Sequence, residues 1–136
     1  MRRFAAVLAL PAAILVAAAI DAQAQDGALH VGISEVAVLS PGDHAAVVVE
    51  VHASEAARGP LLVTPSADGA AIQVVRGRLF RFDAEDPDAD PLRFRVPIAA
   101  MSVGTAVLLV HVDGHACEGT HCHPVEAEAR RAIEVR

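Results

Sequence analysis

Hydrophobic residues along most of the chain recur at every second position or in short continuous runs. Turn-forming residues interrupt them about every ten positions, and no segment after residue 24 keeps helical spacing for three turns. A period of two is the spacing of strands that turn alternate side chains toward a core. The pattern predicts an all-β fold, an immunoglobulin-like antiparallel β-sandwich of seven or eight strands.

Eight segments carry this strand pattern, at 29–39, 45–53, 61–64, 71–76, 79–82, 92–98, 105–112 and 126–135. Segment 45–53 has a run of valines, which predicts a central strand buried on both faces. Segment 92–98 alternates apolar residues with Arg93, Arg95 and Pro97. One solvent-exposed face and a proline predict that this strand lies toward the edge of a sheet.

The first 24 residues have a different pattern, typical of a secretory signal peptide. Arg2 and Arg3 precede an apolar run of 17 residues, from Phe4 to Ile20. Ala22-Gln23-Ala24 then supplies the small residues that a signal peptidase requires, which predicts cleavage after Ala24. We therefore expect a cleavable signal at 1–24 and a single β-sandwich domain at 25–136, free in the periplasm or secreted.

The net charge limits the classes of binding partner expected for the mature domain. Removing Arg2, Arg3 and Asp21 leaves nine arginines against 16 acidic residues, a net charge of −7 with neutral histidines, and the chain has no lysine. This acidity argues against binding to nucleic acid or to an anionic membrane surface. Only three aromatic residues remain, all phenylalanine, so a stacking platform for bases or sugars is not expected.

The strongest chemical signal lies between the last two predicted strands. We expect residues 113–125 to form a loop, and both cysteines of the chain, Cys117 and Cys122, fall within it. Four of the seven histidines lie within 13 positions, at His111, His115, His121 and His123. Hydrolase and phosphate-loop motifs are absent from the sequence, so any chemistry is expected in this segment.

One interpretation of the cysteine pair is a permanent disulfide, because an exported chain meets an oxidising compartment. Cys117 and Cys122 are five positions apart, so the bond would close a ring of six residues. Chain entropy then gives about 2 kcal/mol, less than a bond between distant strands would contribute. Such a bond would stabilise a hairpin more than a whole fold.

A second interpretation is a redox-active pair. Thiol–disulfide exchange requires a sulfur atom that an attacking thiolate can reach, and the tip of a hairpin offers that exposure. His121 and His123 flank Cys122 and would favour its thiolate when protonated, whereas Glu118 would oppose this effect.

The segment 110–117 (VHVDGHAC), followed by Cys122-His123-Pro124 and a final strand, resembles the C-terminal hairpin of the N-terminal periplasmic domain of the thiol:disulfide interchange protein DsbD. The resemblance implies an immunoglobulin-like fold and makes Cys117 and Cys122 the exchanging pair, with a periplasmic oxidoreductase as partner. This sequence departs from the family pattern: its cysteine spacing is one residue shorter, His123 replaces an aromatic residue, and Val125 replaces a proline.

A third interpretation is a transition-metal site, although the main reading of the chain needs no cofactor. Cys117, Cys122, His115 and either His121 or His123 supply the soft and imidazole ligands that Cu or Zn prefers. Histidines two apart on an extended segment point the same way, so His121 and His123 could share an ion. The chain would then be a binding module for metal, or, through a sheet face, for another exported protein.

Overall fold

The computed structural model describes residues 24–25 and 27–136, so the predicted signal peptide lies almost entirely outside the described residues. The predicted cut after Ala24 falls within the first strand. The strands are β1 (Ala24–Gln25), β2 (Leu29–Ile33), β3 (His44–Ala53), β4 (Leu62–Asp68), β5 (Ile72–Val74), β6 (Leu79–Phe80), β7 (Leu92–Ala100), β8 (Gly104–Glu118) and β9 (His121–Val135). Two single-turn 3-10 helices lie at Glu55–Ala57 and Arg81–Asp83.

The strands form two antiparallel sheets, which confirms the predicted β-sandwich. A four-stranded sheet has the order β2-β3-β7-β5, and a five-stranded sheet has the order β1-β9-β8-β4-β6. With β1 and β6 set aside as two-residue edge segments, seven strands remain in the described part of the chain. Their arrangement corresponds to the ABED and CFG sheets of an immunoglobulin-like domain.

The core consists of the facing sides of the two sheets. Alternate residues of each long strand are buried there, because successive side chains of a strand point to opposite faces. Phe94 is fully buried at the centre, among aliphatic side chains such as Val49, Leu108 and Ile133. Within the described residues no polar or charged residue is classed as buried, so the core between the sheets is hydrophobic. At its margin Arg131 Nη2 of β9 donates a hydrogen bond of 2.8 Å to the Ile33 carbonyl of β2 and links the two sheets.

Two expectations about the four-stranded sheet are wrong. β7 pairs with β3 on one side and β5 on the other, so it is a central strand and not an edge strand. Its polar residues, Arg93 and Arg95, face outward and pair with Glu50 and Glu85. β3 is central as predicted, but only one of its faces is buried. Both errors arise because one side of this sheet faces solvent.

The expected loop at 113–125 is also wrong. β8 continues to Glu118 and β9 begins at His121, so the two strands form a long hairpin of 15 residues each. The last core contacts of this hairpin come from Gly114, Ala116 and Val125. Small residues can hold a strand against a core without giving a strong hydrophobic signal, and for that reason the sequence pattern resembled a loop.

Candidate functional site

The turn between β8 and β9 consists of Gly119 and Thr120. Gly119 has φ +61°, and no residue other than glycine has a positive φ among those described. A glycine with positive φ at the first of two turn residues is typical of a type II′ turn, whose twist matches that of antiparallel strands. The cysteines therefore lie on strand ends, one pair back from a tight turn.

Cys117 and Cys122 form a disulfide, and they are direct cross-strand partners in the hairpin. Their Cα atoms are 4.0 Å apart. This short separation matches the narrow, non-hydrogen-bonded pairs of an antiparallel ladder. Both residues are exposed. The structure thus places a formed disulfide, with both sulfur-bearing residues accessible, at the free end of the hairpin.

The structure divides the predicted histidines between the two faces of the hairpin. His115 lies two positions before Cys117 on β8, so it shares the face of the cysteine pair, the outer face of the five-stranded sheet. His121 and His123 lie on β9 with the opposite orientation, on the side of Ala116 and Val125, and both are exposed. His121 and His123 therefore share a face with each other, as expected, but not with the cysteines.

An apolar surface lies on the same face of the sheet as the disulfide. Pro60, Leu61, Leu62 and Phe80 line a shallow pocket that ends at His115, on the face that carries the cysteine pair. Phe80 is about half exposed, and the neighbouring Phe82 is 88% exposed. Both phenylalanines also line a second, neighbouring groove.

Asp83 anchors this aromatic segment. Its Oδ2 accepts a hydrogen bond from the backbone N–H of Phe80 at 2.7 Å, and its Oδ1 accepts one from Arg76 Nη2 at 2.7 Å. The backbone hydrogen bond from Phe80, followed by the hydrogen bond from Arg76, lowers the pKa of the Asp83 carboxyl. The charged form of Asp83 therefore fixes the turn that carries Phe80 and Phe82.

A cluster of titratable groups lies on the hairpin face that carries the cysteine pair, further from the turn. His111 Nε2 is 3.1 Å from Asp113 Oδ1 and 3.4 Å from Glu126 Oε2, and its Nδ1 is 3.8 Å from Glu128 Oε2. Sequence reasoning placed His111 in the histidine-rich segment but missed its acidic neighbours. The spacing of His111 and Asp113 on one strand face was visible in the sequence, whereas Glu126 joins them only through the register of β8 and β9.

The fold and the site together define a small β-sandwich domain with a solvent-exposed disulfide at the end of its last hairpin. No protein-family model matches the chain, and the comparison with curated proteins gives no significant match. In the part of the chain that the structure describes, no helix is long and apolar enough to cross a bilayer.

Among solved structures, the chain is similar to trypsin-activated alpha-2-macroglobulin from Escherichia coli, with a TM-score of 0.52 and 16% sequence identity. The similarity covers 80% of this chain and 7% of the macroglobulin chain. The chain therefore corresponds to one small part of that protein. At this level of identity the similarity concerns the fold alone, and it agrees with a β-sandwich.

Proposed function

We propose that the chain is an exported β-sandwich module whose Cys117–Cys122 disulfide exchanges with thiols of another exported protein. The observation that carries the proposal is the position of the bond: it is exposed, and it joins two residues that the hairpin already holds opposite each other. A bond in that position can open and close without rearranging the fold. A disulfide also suits an oxidising compartment, which agrees with the predicted signal peptide.

The contribution of this disulfide to stability is small. It closes a ring of six residues, for which chain entropy gives about 2 kcal/mol. The register of β8 and β9 is held independently by the backbone ladder and by buried residues on both strands, such as Ala116 and Val125. Reduction therefore leaves the hairpin paired, as a reversible exchange reaction requires.

Exchange would proceed through a mixed disulfide. A thiolate of the partner attacks one sulfur of the pair, forming an intermolecular S–S bond and releasing the other sulfur as a thiolate. The second thiol of the partner then attacks the mixed disulfide. The net result is that the partner is oxidised to its disulfide, and this chain gains two electrons and two protons as Cys117 and Cys122 thiols.

The apolar surface on the face that carries the cysteine pair supports a protein partner. Phe80 and Leu62 lie on the same face as the disulfide, and His115 separates them from it. Interfaces are built around such aromatic and aliphatic anchors. The resemblance to the DsbD periplasmic domain makes Cys117 and Cys122 the exchanging pair and suggests a periplasmic oxidoreductase as the class of partner. In that family the reduced pair passes electrons to the oxidoreductase, which is the reverse direction of the same exchange.

The proposal is tested by mixing the oxidised domain with a reduced periplasmic dithiol protein of the thioredoxin fold, with alkylation of free thiols at timed intervals. Intact mass would show two alkylated cysteines appearing within minutes. To find which sulfur is attacked, Cys122→Ser is first converted to a mixed disulfide of Cys117 with thionitrobenzoate and then mixed with a partner whose second cysteine is replaced by serine. Attack of the partner thiolate on Cys117 should release thionitrobenzoate and leave a stable Cys117–partner disulfide, and Cys117→Ser, activated at Cys122, tests the reverse assignment.

A matched control separates docking from chemistry. Phe80→Ser is expected to slow exchange with the dithiol protein at least about fivefold, because it removes an apolar anchor. Reduction by glutathione should be unchanged, since a small thiol needs no docking surface. A disulfide that resists the dithiol protein for hours, while its cysteines alkylate fully after denaturation and reduction, would refute the exchange proposal.

The second candidate function is Cu or Zn binding by the reduced pair. The specific observation in its favour is that His115 shares a face with Cys117 and Cys122. Two thiolates and one imidazole suit Cu⁺ or Zn²⁺. Titration of the reduced protein with Cu⁺ should give one site that His115→Ala weakens at least about tenfold. Equal weakening by His121→Ala and His123→Ala would contradict this ligand set.

A further inference from the structure

We propose that His111, Asp113 and Glu126 form a binding site for a divalent transition metal ion on the outer face of the five-stranded sheet. Among the described residues, these three form a group of metal-ligating side chains whose ligand atoms all lie within 4.8 Å of one another. The site contains neither cysteine. It is therefore distinct from the metal site considered for the reduced disulfide, and it is available in the oxidised protein.

The hairpin register brings these side chains together. His111 and Asp113 are two positions apart on β8, so their side chains leave the same face. Glu126 on β9 is the direct cross-strand partner of Asp113, and Glu128 is that of His111. Pair types alternate along an antiparallel ladder, so both pairs are of the same narrow kind as Cys117 and Cys122. Narrow pairs bring opposing side chains into contact.

The spacing of the ligand atoms suits a metal ion. A tetrahedral Zn²⁺ with ligands at about 2.0–2.1 Å holds neighbouring ligand atoms about 3.3 Å apart. His111 Nε2 is 3.1 Å from Asp113 Oδ1 and 3.4 Å from Glu126 Oε2. An ion placed between these three atoms would reach all of them with small side-chain adjustments. The fourth position faces solvent and would hold water.

The second nitrogen of the imidazole also faces a suitable group. His111 Nδ1 lies 3.8 Å from Glu128 Oε2, and Arg130 Nε lies 3.3 Å from Glu128 Oε1. Metal-binding histidines commonly donate their other N–H to a carboxylate, which fixes the ring orientation and increases the basicity of the ligand nitrogen. Glu128 is positioned to provide this support, and Arg130 in turn positions Glu128.

The charges at this position favour a bound cation. Asp113 and Glu126 are like charges directly opposite each other on neighbouring strands, an arrangement that destabilises a sheet. Arg130 pairs with Glu128, so it does not neutralise this pair. A divalent ion would neutralise both carboxylates while leaving His111 as a neutral ligand. One nitrogen and two oxygen ligands suit Zn²⁺, which such sites bind more tightly than Mn²⁺.

The test is calorimetric titration of the oxidised domain with Zn²⁺ at neutral pH. The expected result is one site per chain. His111→Ala and Glu126→Gln should each weaken binding at least about tenfold, because each removes a ligand, and Glu128→Gln should weaken it less. Imidazole NMR signals, recorded in the same titration, should show His111 responding first, and backbone spectra should confirm that each variant remains folded.

Two control variants locate the ion. The triple variant His115→Ala, His121→Ala, His123→Ala removes the histidines at the end of the hairpin and should bind Zn²⁺ as the parent does. Cys117→Ser, Cys122→Ser should also keep the site, so its outcome is independent of the exchange proposal. No binding by the parent, unchanged binding by His111→Ala, or loss of binding in the triple variant would each overturn the proposal.

Discussion

Gly114 allows strand β8 to pack closely against the core near the disulfide. A Cβ atom at this position would lie 2.6 Å from Leu61 Cδ2 and 3.6 Å from Leu29 Cδ1. Leu61 is 3% exposed, so its side chain has little free space into which it can move. The glycine is required for close packing here and not for an unusual backbone conformation.

We predict that Gly114→Ala destabilises the domain by about 1–2 kcal/mol, the usual effect of adding one carbon atom to a packed core. Urea denaturation measures the change. Gly32→Ala is the matched control, because a Cβ at that strand position would meet nothing within 4 Å. Equal effects of the two substitutions would show that the contact with Leu61 is unimportant.

Asp83 should make stability depend on pH. Its pKa is lowered in the folded protein, so its stabilising effect is present above the pKa of the unfolded chain and is lost as pH falls through the folded value. We predict that the parent is more stable than Asp83→Asn at pH 7 and that this difference shrinks as pH falls below the ordinary carboxyl pKa and through the lower folded value. Denaturation at several pH values measures it, and a difference independent of pH would contradict the role of the charge.

The β8–β9 hairpin shows, at the scale of elements, what the sequence could and could not predict. The apolar run from Thr105 to Val112 predicted a strand, and the cysteines were predicted to meet at a hairpin tip, which the disulfide confirms. The extension of both strands was missed because Gly114 and Ala116 are too small to mark a core face. The grouping of His111 with Glu126 depends on cross-strand register, which sequence spacing within one strand does not reveal.

At the scale of this element, we predict that Cys117→Ala, Cys122→Ala folds and loses about 2 kcal/mol of stability. Phe94→Ala, at the centre of the core, should lose about 3–5 kcal/mol. Urea denaturation compares the two variants directly. If the cysteine variant is unfolded, or loses more stability than Phe94→Ala, then the disulfide holds the fold and its reversible opening is contradicted.

For the whole molecule, the period-two pattern was sufficient to predict the sandwich. Each strand turns alternate residues toward the core, so those residues are apolar and the alternation is visible in the sequence. The neighbours of each strand were harder to predict. β7 was placed at an edge because of Arg93, Arg95 and Pro97, yet these residues face the solvent side of a central strand. Strand order is set by contacts between distant segments, which local patterns do not contain.

We propose above that the disulfide of this sandwich is an exchanging bond. Its reduction potential tests that claim most directly, by equilibrating the domain with glutathione buffers, alkylating free thiols and quantifying the two forms by mass. We predict a value more oxidising than about −300 mV, in the range of disulfides that exchange with partner proteins. A value below about −300 mV would identify a structural bond and contradict the proposal.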